Sequence, residues 1–265
     1  MHARGFLSQP PGLFSGPCPK PAGDDRLEPA LLGEPHGLTQ LISVIVPAHN
    51  EEKYLPITLE ALQRQNYRWF EVIVVANGCT DRTVDMAGGN GRRLIVLSRK
   101  NLGLARNLGA RMARGELLVF LDADTTLEPK ALHCIARDFS PRDAAGTLQG
   151  RPDSERAACR VLYALKNFVH RWSLHPGSSG VIVCWRKQFL RAGGFDEQLQ
   201  VRENSDLIKR LKRFGRYRYI GEAAAITSMR RYEQCGMAHV AWLWCKLWLE
   251  SFFSDLHERG YEVVR

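Results

Sequence analysis

Two carboxylates, Asp122 and Asp124, stand one residue apart directly after the apolar run 117–121. The run predicts a buried strand, and ligands of open α/β sheets bind at the C-terminal ends of strands. Carboxylate oxygens at that place suit Mg²⁺ or Mn²⁺ and the phosphates that these ions accompany. An Asp-x-Asp triplet also caps helices, because Asp accepts hydrogen bonds from free backbone N–H groups. The triplet alone leaves both interpretations open.

Polar, turn-forming residues also follow two other apolar strands. Strand 41–46 runs into Pro-Ala-His-Asn-Glu at 47–51, and strand 71–75 runs into Ala-Asn-Gly at 76–78. The glycine at the end of the second segment permits a sharp turn. Both segments are placed to frame a nucleotide, although each is also explained by turn chemistry alone.

A cationic loop at 100–107 follows a third strand, 94–97, and opens a helix. Helix N-termini favour phosphate, and Arg106 can supply a forked pair of donors. A surface charge beside a turn explains the same residues taken singly.

Strands that alternate with helices in this way predict parallel βαβ units, and therefore an α/β fold. In the first half the helices are expected at 55–62, 84–86 and 103–114. In the second half the pattern predicts helices at 155–172, 189–194 and 205–214 and strands at 180–185 and 217–220.

The composition fits one large α/β domain with appendages. The chain has 265 residues, 45% of them hydrophobic, and a formal net charge of +9. A basic surface attracts phosphates of nucleotides, nucleic acids or anionic lipids, and the sign alone does not choose among them. No nucleic-acid partner is expected, because stacking aromatic residues do not alternate with the basic ones.

Seven cysteines stand singly, with no C-x-x-C pair. This pattern argues against a disulfide framework or a zinc site and favours a reducing cytoplasm. Residues 1–40 are rich in Pro and Gly and are expected to form a disordered leader. Residues 231–265 are expected to form a Trp-rich helical tail that binds a membrane interface, forms a homodimer or packs on the domain.

Six segments together resemble glycosyltransferase family 2, whose members have the GT-A fold and invert the configuration of the transferred sugar. Their order and spacing, over about residues 41–220, carry the resemblance. The segments are 43–52 (SVIVPAHNEE), 75–81 (VANGCTD), 105–109 (ARNLG), 120–124 (FLDAD), 193–197 (GGFDE) and 203–207 (ENSDL).

The resemblance implies a GT-A domain over 41–230 with a Rossmann-like, mixed but mainly parallel sheet flanked by helices. Residues 41–127 would form the nucleotide-binding half and 128–230 the acceptor half. The implied donor is a UDP- or GDP-sugar, the acceptor is a hydroxyl group of a glycan or lipid-linked molecule, and the cofactor is Mg²⁺ or Mn²⁺.

The resemblance also implies roles for single residues. Donor binding would fall to Pro47, Ala48, Asn50, Glu51, Asn77, Arg106, Asp122, Arg230 and Arg231. The metal would be held by Asp124, with Asp122 near the ribose and the ion. The acceptor pocket would be shaped by Gly194, Phe195 and Asp196. Glu203 is the expected base and Asp206 the second choice.

Three of these assignments have competing interpretations. Asn77 stands where many relatives have an Asp that reads the base. The arginines at 230–231 either close over the diphosphate or form a solvated basic loop. Trp185 and Phe195 either stack on a sugar or pack in the core.

What the motifs lack bears on three alternative functions. Asn204 replaces the second carboxylate of the usual Glu-Asp pair, which leaves open a catalytically impaired protein that binds a nucleotide-sugar or a membrane surface. A sugar nucleotidyltransferase ranks low, because 47–50 (Pro-Ala-His-Asn) is not a Gly-rich loop with a following Arg and Lys. A dehydrogenase is disfavoured because no G-x-G-x-x-G follows the first strand.

Overall fold

Four parallel strands form the first half of the sheet. They are β1 (Ile42–Ala48), β2 (Phe70–Asn77), β3 (Arg93–Leu97) and β4 (Leu117–Leu121). β1 lies between β2 and β4, and β3 pairs with the outer side of β2. The apolar runs of β1 and β4 are buried along their whole length, as strands covered on both faces require.

Four more strands complete an eight-stranded mixed sheet in the order β3-β2-β1-β4-β7-β6-β8-β5. They are β5 (Thr125–Leu127), β6 (Asp143–Pro152), β7 (Val181–Trp185) and β8 (Arg216–Thr227). β7 runs antiparallel to β4 and to β6, while β6 and β8 are parallel. The predicted α/β fold with a mixed, mainly parallel sheet is confirmed.

Seven helices cover the sheet in the described part of the chain. They are α1 (Leu55–Gln63), α2 (Thr83–Ala87), α3 (Leu102–Met112), α4 (Ala131–Asp138), α5 (Ala157–Arg171), α6 (Arg186–Arg191) and α7 (Glu203–Leu211). Alternate strand residues enter two separate cores, one with α1 and α4 and one with α3, α6 and α7. The helices therefore sandwich the sheet and leave the strand ends to form a site.

The computed structural model describes residues 40–89, 91–174, 177–199, 201–230, 232 and 236. The predicted leader and the helix expected within the tail lie outside the described residues. Among those described, no helix has the length and apolar character needed to cross a bilayer.

Several predicted boundaries differ from the structure. The helix expected at 189–194 begins earlier, directly after β7, and Gly193 and Gly194 terminate it with φ of +82° and +72°. The strand expected at 217–220 extends over the whole of β8, and α7 begins two residues before its expected start. The sequence pattern did not predict β5, β6 or α4.

Candidate active site

The ends of β1 and β2 are tied to each other by side chains. The amide of Asn50 accepts the backbone N–H of Thr80 at 2.8 Å and donates to its hydroxyl at 3.0 Å. His49 Nδ1 lies 2.7 Å from the carbonyl oxygen of Asn77. Asn50 has φ of +54°, a conformation that Asn tolerates better than most residues. The two predicted strand-end segments thus form one surface.

Asn77 positions the start of α3. Its buried side-chain oxygen accepts the backbone N–H of Asn101 at 2.7 Å. Asn101 in turn caps the helix by accepting the N–H of Leu104 at 2.9 Å. The structure therefore links the second strand end to the cationic loop, while base reading by Asn77 stays a prediction.

Asp81 stabilises the same surface through hydrogen bonds to its backbone. Its carboxylate accepts the backbone N–H groups of Thr83 at 3.0 Å and of Glu52 at 3.2 Å. Burial raises the pKa of Asp81, but these hydrogen bonds outweigh it and hold the pKa below the ordinary value. The carboxylate is therefore a fixed anion that orders the loop after β1.

The guanidinium of Arg106 is buried between Asp122, at the triplet, and Glu203, at the start of α7. Nη2 donates to Oδ1 of Asp122 at 2.9 Å, and Nη1 donates to Glu203 at 3.2 Å and to Asn204 at 2.8 Å. The ring of Phe195 lies 4.9 Å from the guanidinium carbon. The sequence suggested a phosphate contact for Arg106, whereas the contacts in the structure are to carboxylates and an amide.

Glu203 is the first residue of α7, and Arg202 before it has φ of +63°. The Glu203 side chain keeps 15% of its surface exposed. Asn204 is held on its other side, because its Nδ2 donates to the hydroxyl of Ser178 at 3.2 Å. Glu203, the predicted base, thus lies beside Arg106. Its neighbour Asn204, which stands in place of a second acid, is held by Ser178.

Asp206 is engaged elsewhere on the same helix. Its Oδ2 lies 2.6 Å from Nη2 of Arg210. Arg210 also donates to the carbonyl oxygen of Gly194 at 2.7 Å. Asp206 therefore orients Arg210, which binds the turn at Gly194. The use of Asp206 as an alternative base stays a prediction.

Phe195 packs in the core, and its predicted role in shaping the acceptor pocket stays a prediction. Its ring meets that of Phe120 edge to face at 5.0 Å and is also in contact with Phe189. Only 2% of the residue is exposed, so a sugar cannot stack on it in this conformation. Trp185 likewise packs on Phe139, and its indole N–H donates to a backbone carbonyl. Core packing is the correct alternative for both aromatic residues.

The backbone of Phe195 is fixed from α3. The amide of Asn107 accepts the N–H of Phe195 at 2.8 Å and donates to its carbonyl oxygen at 2.9 Å. Asp196, the third predicted acceptor residue, accepts the N–H of Gln198 at 2.9 Å. These contacts make the 194–196 turn a rigid wall beside α3.

Asp124 lies at the other end of the triplet and contacts Arg230, which follows β8. Arg230 donates to Asp124 at 3.2 Å and also binds Glu51, and its guanidinium lies 4.4 Å from the ring centre of Tyr54. Burial lowers the pKa of Arg230, but the two carboxylates outweigh it and raise the pKa above its ordinary value. Arg231 lies outside the described residues.

A cleft opens beside Asp124, and a second carboxylate, Asp153, lines it as well. Asp153 stands directly after β6, and its Oδ1 accepts the N–H of Met229 at 2.8 Å. The sequence did not indicate Asp153, because the strand that delivers it was itself not predicted.

The triplet offers two carboxylates, Asp122 and Asp124, to a divalent ion. Within the described residues, no group of three His, Cys, Asp or Glu side chains is placed to hold a metal unaided. Mg²⁺ is commonly held by one or two carboxylates together with substrate phosphates. Asp122 and Asp124 therefore fit an ion whose remaining ligands come from a diphosphate.

Solved structures show the same architecture. TarS of Staphylococcus aureus in complex with UDP-GlcNAc has a TM-score of 0.58 at 20% identity, over 71% of this chain and 58% of that chain. A mannosyltransferase from Pyrobaculum calidifontis in complex with GDP-Man and Mn²⁺ has a TM-score of 0.57 at 21% identity, over 70% of this chain and 56% of that chain. The fold is the GT-A fold of nucleotide-sugar transferases.

The family model described as glycosyl transferase family 2 matches residues 43–189. The chain therefore belongs to glycosyltransferase family 2, as its motifs predicted.

Curated relatives match over shorter segments. GlyG, a glycosyltransferase of Streptococcus pneumoniae, is 30% identical over 40% of this chain and 38% of its own length. The 4,4'-diaponeurosporenoate glycosyltransferase of Staphylococcus haemolyticus is 35% identical over 43% of this chain and 32% of its own length. The match therefore spans about a third of these two relatives.

Proposed function

We propose that this chain is a metal-dependent, inverting glycosyltransferase of the hexosyl or a related type. It would move a sugar from a UDP- or GDP-sugar to a hydroxyl group of a glycan or lipid-linked acceptor. The observation that carries the proposal is the buried Arg106, which brings Asp122 at the triplet and Glu203 at the start of α7 onto one guanidinium. The complexes of the structural relatives with UDP-GlcNAc and GDP-Man support a nucleotide-sugar donor.

The donor would occupy the surface formed by the ends of β1, β2 and β4. Base and ribose would lie against the residues predicted for them, namely Pro47, Ala48, Asn50, Glu51, Asn77 and Asp122. Asp124, with Asp122, would hold Mg²⁺ or Mn²⁺. Such an ion neutralises the negative charge that gathers on a departing nucleoside diphosphate.

The reaction also requires a base for the proton of the attacking hydroxyl. Glu203 is our choice, because its carboxylate faces the triplet through Arg106 and remains partly exposed. A hydrogen bond to a guanidinium restricts the rotation of a carboxylate, so Arg106 would orient Glu203 as well as Asp122. Asp206 is the weaker candidate, since its carboxylate is shared with Arg210.

Donor binding can be tested separately from turnover. Thermal shifts of the full chain would be measured with UDP- and GDP-sugars, with and without Mn²⁺, for the wild type and for Asp124→Asn. One nucleotide should raise the melting temperature only when Mn²⁺ is present, and the variant should lose that increment. Absence of any stabilisation, or an unchanged response in Asp124→Asn, would refute the donor site.

The base is tested by two matched variants on one helix. Glu203→Gln should abolish sugar transfer while donor-induced stabilisation persists, and Asp206→Asn should keep most of the transfer rate. The opposite result would assign the base to Asp206. A wild-type chain that binds donor without transferring sugar to any hydroxyl acceptor tried would favour the binding module that Asn204 suggested.

We also propose a cytoplasmic location, in keeping with seven cysteines that stand singly along the sequence with no C-x-x-C pair. A position at the inner face of the membrane would suit a lipid-linked acceptor.

A further inference from the structure

Helix α5 turns a row of large apolar side chains toward solvent. The row consists of Val161, Leu165, Phe168 and Trp172 and continues to Leu174, and each of the five is more than half exposed. Spacings of four, three and four residues place the first four on one side of the helix. Soluble monomers seldom expose a contiguous apolar patch of this kind without a binding role. We refer to these five residues as the α5 stripe.

The α5 stripe is not needed to attach the helix to the domain. The opposite side of α5 is buried, with Cys159, Tyr163 and His170 facing inward. Tyr163 packs with Met229 and Cys159 in a small core of its own, and His170 lies 3.2 Å from the hydroxyl of Ser179. The exposed aromatic residues Phe168 and Trp172 pack side by side along the helix, with ring centres 6.3 Å apart.

The charged residues within helix α5 are all basic. The helix contains Arg160, Lys166 and Arg171 and no acidic residue, and Arg156 precedes it. Glu155 is the acid nearest in sequence, and it pairs with Arg160. Two copies of this face would bring arginines against arginines, so charge complementarity disfavours a second copy of the chain as the partner.

We propose that the α5 stripe docks the protein on the surface of an anionic lipid bilayer. Amphipathic helices that lie in a bilayer interface carry Trp, Phe and Leu on one face and Arg or Lys beside them. The aromatic rings of Phe168 and Trp172 would enter the headgroup region, where Trp is enriched in membrane proteins. Arg160 and Arg171 would contact lipid phosphates.

The position of α5 would bring a docked bilayer close to the candidate site. Asp153, four residues before the helix, lines the cleft beside Asp124. The helix therefore begins at the same edge of the sheet as the triplet, and a bilayer against it would lie beside the candidate site. The docking itself does not depend on the transfer reaction and is tested without it.

The test is flotation of the full chain with vesicles of phosphatidylcholine, with and without phosphatidylglycerol. The double variant Phe168→Ser/Trp172→Ser should lower the partition coefficient by roughly 100-fold, because two large apolar groups no longer leave water. Trp69→Ser is the matched control, since Trp69 is also exposed but precedes β2 at the opposite edge of the sheet. Arg160→Gln/Arg171→Gln should weaken binding by about tenfold on anionic vesicles only.

Three outcomes would overturn the proposal. The double variant could float as well as the wild type, which would place membrane contact elsewhere. Light scattering could show a dimer that the double variant abolishes, which would make a second copy the partner. The wild type could fail to float while the double variant melts at a lower temperature, which would mean that another part of the chain covers the stripe.

Discussion

Arg106 and Glu203 stand 97 positions apart in the sequence and are in contact, with Nη1 of the arginine 3.2 Å from Oε1 of the glutamate. The second η-nitrogen of the same guanidinium reaches Asp122 at 2.9 Å. One buried cation therefore joins α3, the end of β4 and the start of α7. Both predicted functions of the site, donor binding at Asp122 and proton removal at Glu203, depend on its position.

Replacement of Arg106 by Lys keeps the charge but removes the fork that reaches two carboxylates. We expect kcat for sugar transfer to fall by roughly 100-fold, because a small displacement of reacting groups costs about that much. Arg111→Lys, an exposed position on the same helix, is the control and should leave kcat unchanged. Equal rates for the two variants would contradict a positioning role for Arg106.

Removal of the guanidinium should also destabilise the fold. Arg106→Met leaves the carboxylates of Asp122 and Glu203 without their shared cation, and breaking a buried pair in this way costs about 3 kcal/mol. Urea denaturation at neutral pH measures the loss. A change below about 0.5 kcal/mol, the range of ordinary surface substitutions, would show that the network contributes little to stability.

Arg230 contacts Asp124, the carboxylate that we propose as a ligand of the divalent ion. Arg230 contacts Asp124 and Glu51, so an ion bound at Asp124 would have to displace the arginine or share the carboxylate with it. We expect Arg230→Gln to bind Mn²⁺ more tightly in the absence of nucleotide, by about tenfold, since a favourable charged contact no longer has to be broken. The same variant should bind UDP or GDP more weakly, because a predicted diphosphate contact is lost.

Titration calorimetry with Mn²⁺ alone and with each nucleotide distinguishes the two effects. Arg137→Gln is the control, as Arg137 pairs with surface carboxylates at Asp138 and Glu222. An unchanged affinity for Mn²⁺ in Arg230→Gln would rule out the competition.

The sequence predicted the strands that deliver the site because their apolar runs are continuous and their ends are marked by polar turns. It did not predict β6, whose sequence DAAGTLQGRP lacks the β-branched run typical of a strand. Its strand conformation depends on tertiary contacts. A Cβ on Gly146 would lie 2.8 Å from the carbonyl oxygen of Arg218, so the close approach of β8 requires glycine there.

The sequence predicted which residues belong to the site better than it predicted which of their side chains are in contact. Arg106 contacts two carboxylates and an amide in the structure, while the phosphate contact expected from the sequence stays a prediction. Motif order specifies which residues arrive at one edge of a sheet, and side-chain packing decides which of them touch. Phe195 shows the same limit, because a buried aromatic and a sugar-stacking aromatic have the same sequence signal.

Acid should weaken the fold through Glu71, which lies at the edge of the sheet opposite the site. Its carboxylate accepts from Ser43 at 2.7 Å and from the backbone of Arg114 at 2.6 Å. Burial raises the pKa of Glu71, but these bonds and the charge of Arg114 outweigh it and hold the pKa below 4.5. Because the folded pKa is the lower one, the stabilisation is present above about pH 4.5 and is lost as the pH falls through the folded value.

Glu71→Gln should therefore reduce the free energy of unfolding by about 1–3 kcal/mol at pH 7 and progressively less below pH 4.5. Denaturation of both proteins across pH 3 to 7 measures the difference. A difference that stays constant over this range would mean that the charge of Glu71 does not contribute.

The turn before α7 offers a matched pair of glycines. Gly193 and Gly194 both have positive φ, +82° and +72°. A Cβ on Gly193 would meet nothing within 4 Å, whereas one on Gly194 would lie 2.7 Å from Oδ1 of Asn107. That oxygen already accepts the N–H of Phe195, so it cannot withdraw without breaking the bond.

Gly193→Ala therefore isolates the conformational cost, which we expect to be about 1 kcal/mol. Gly194→Ala should cost about 2–3 kcal/mol, because the collision with Asn107 adds to the same backbone strain. Only Gly194→Ala should also slow sugar transfer, since the carbonyl of Gly194 is bound by Arg210 and the turn abuts α7, which begins at Glu203. Equal destabilisation by the two variants would show that Asn107 yields freely, and an unchanged rate of transfer in Gly194→Ala would show that the turn does not position α7.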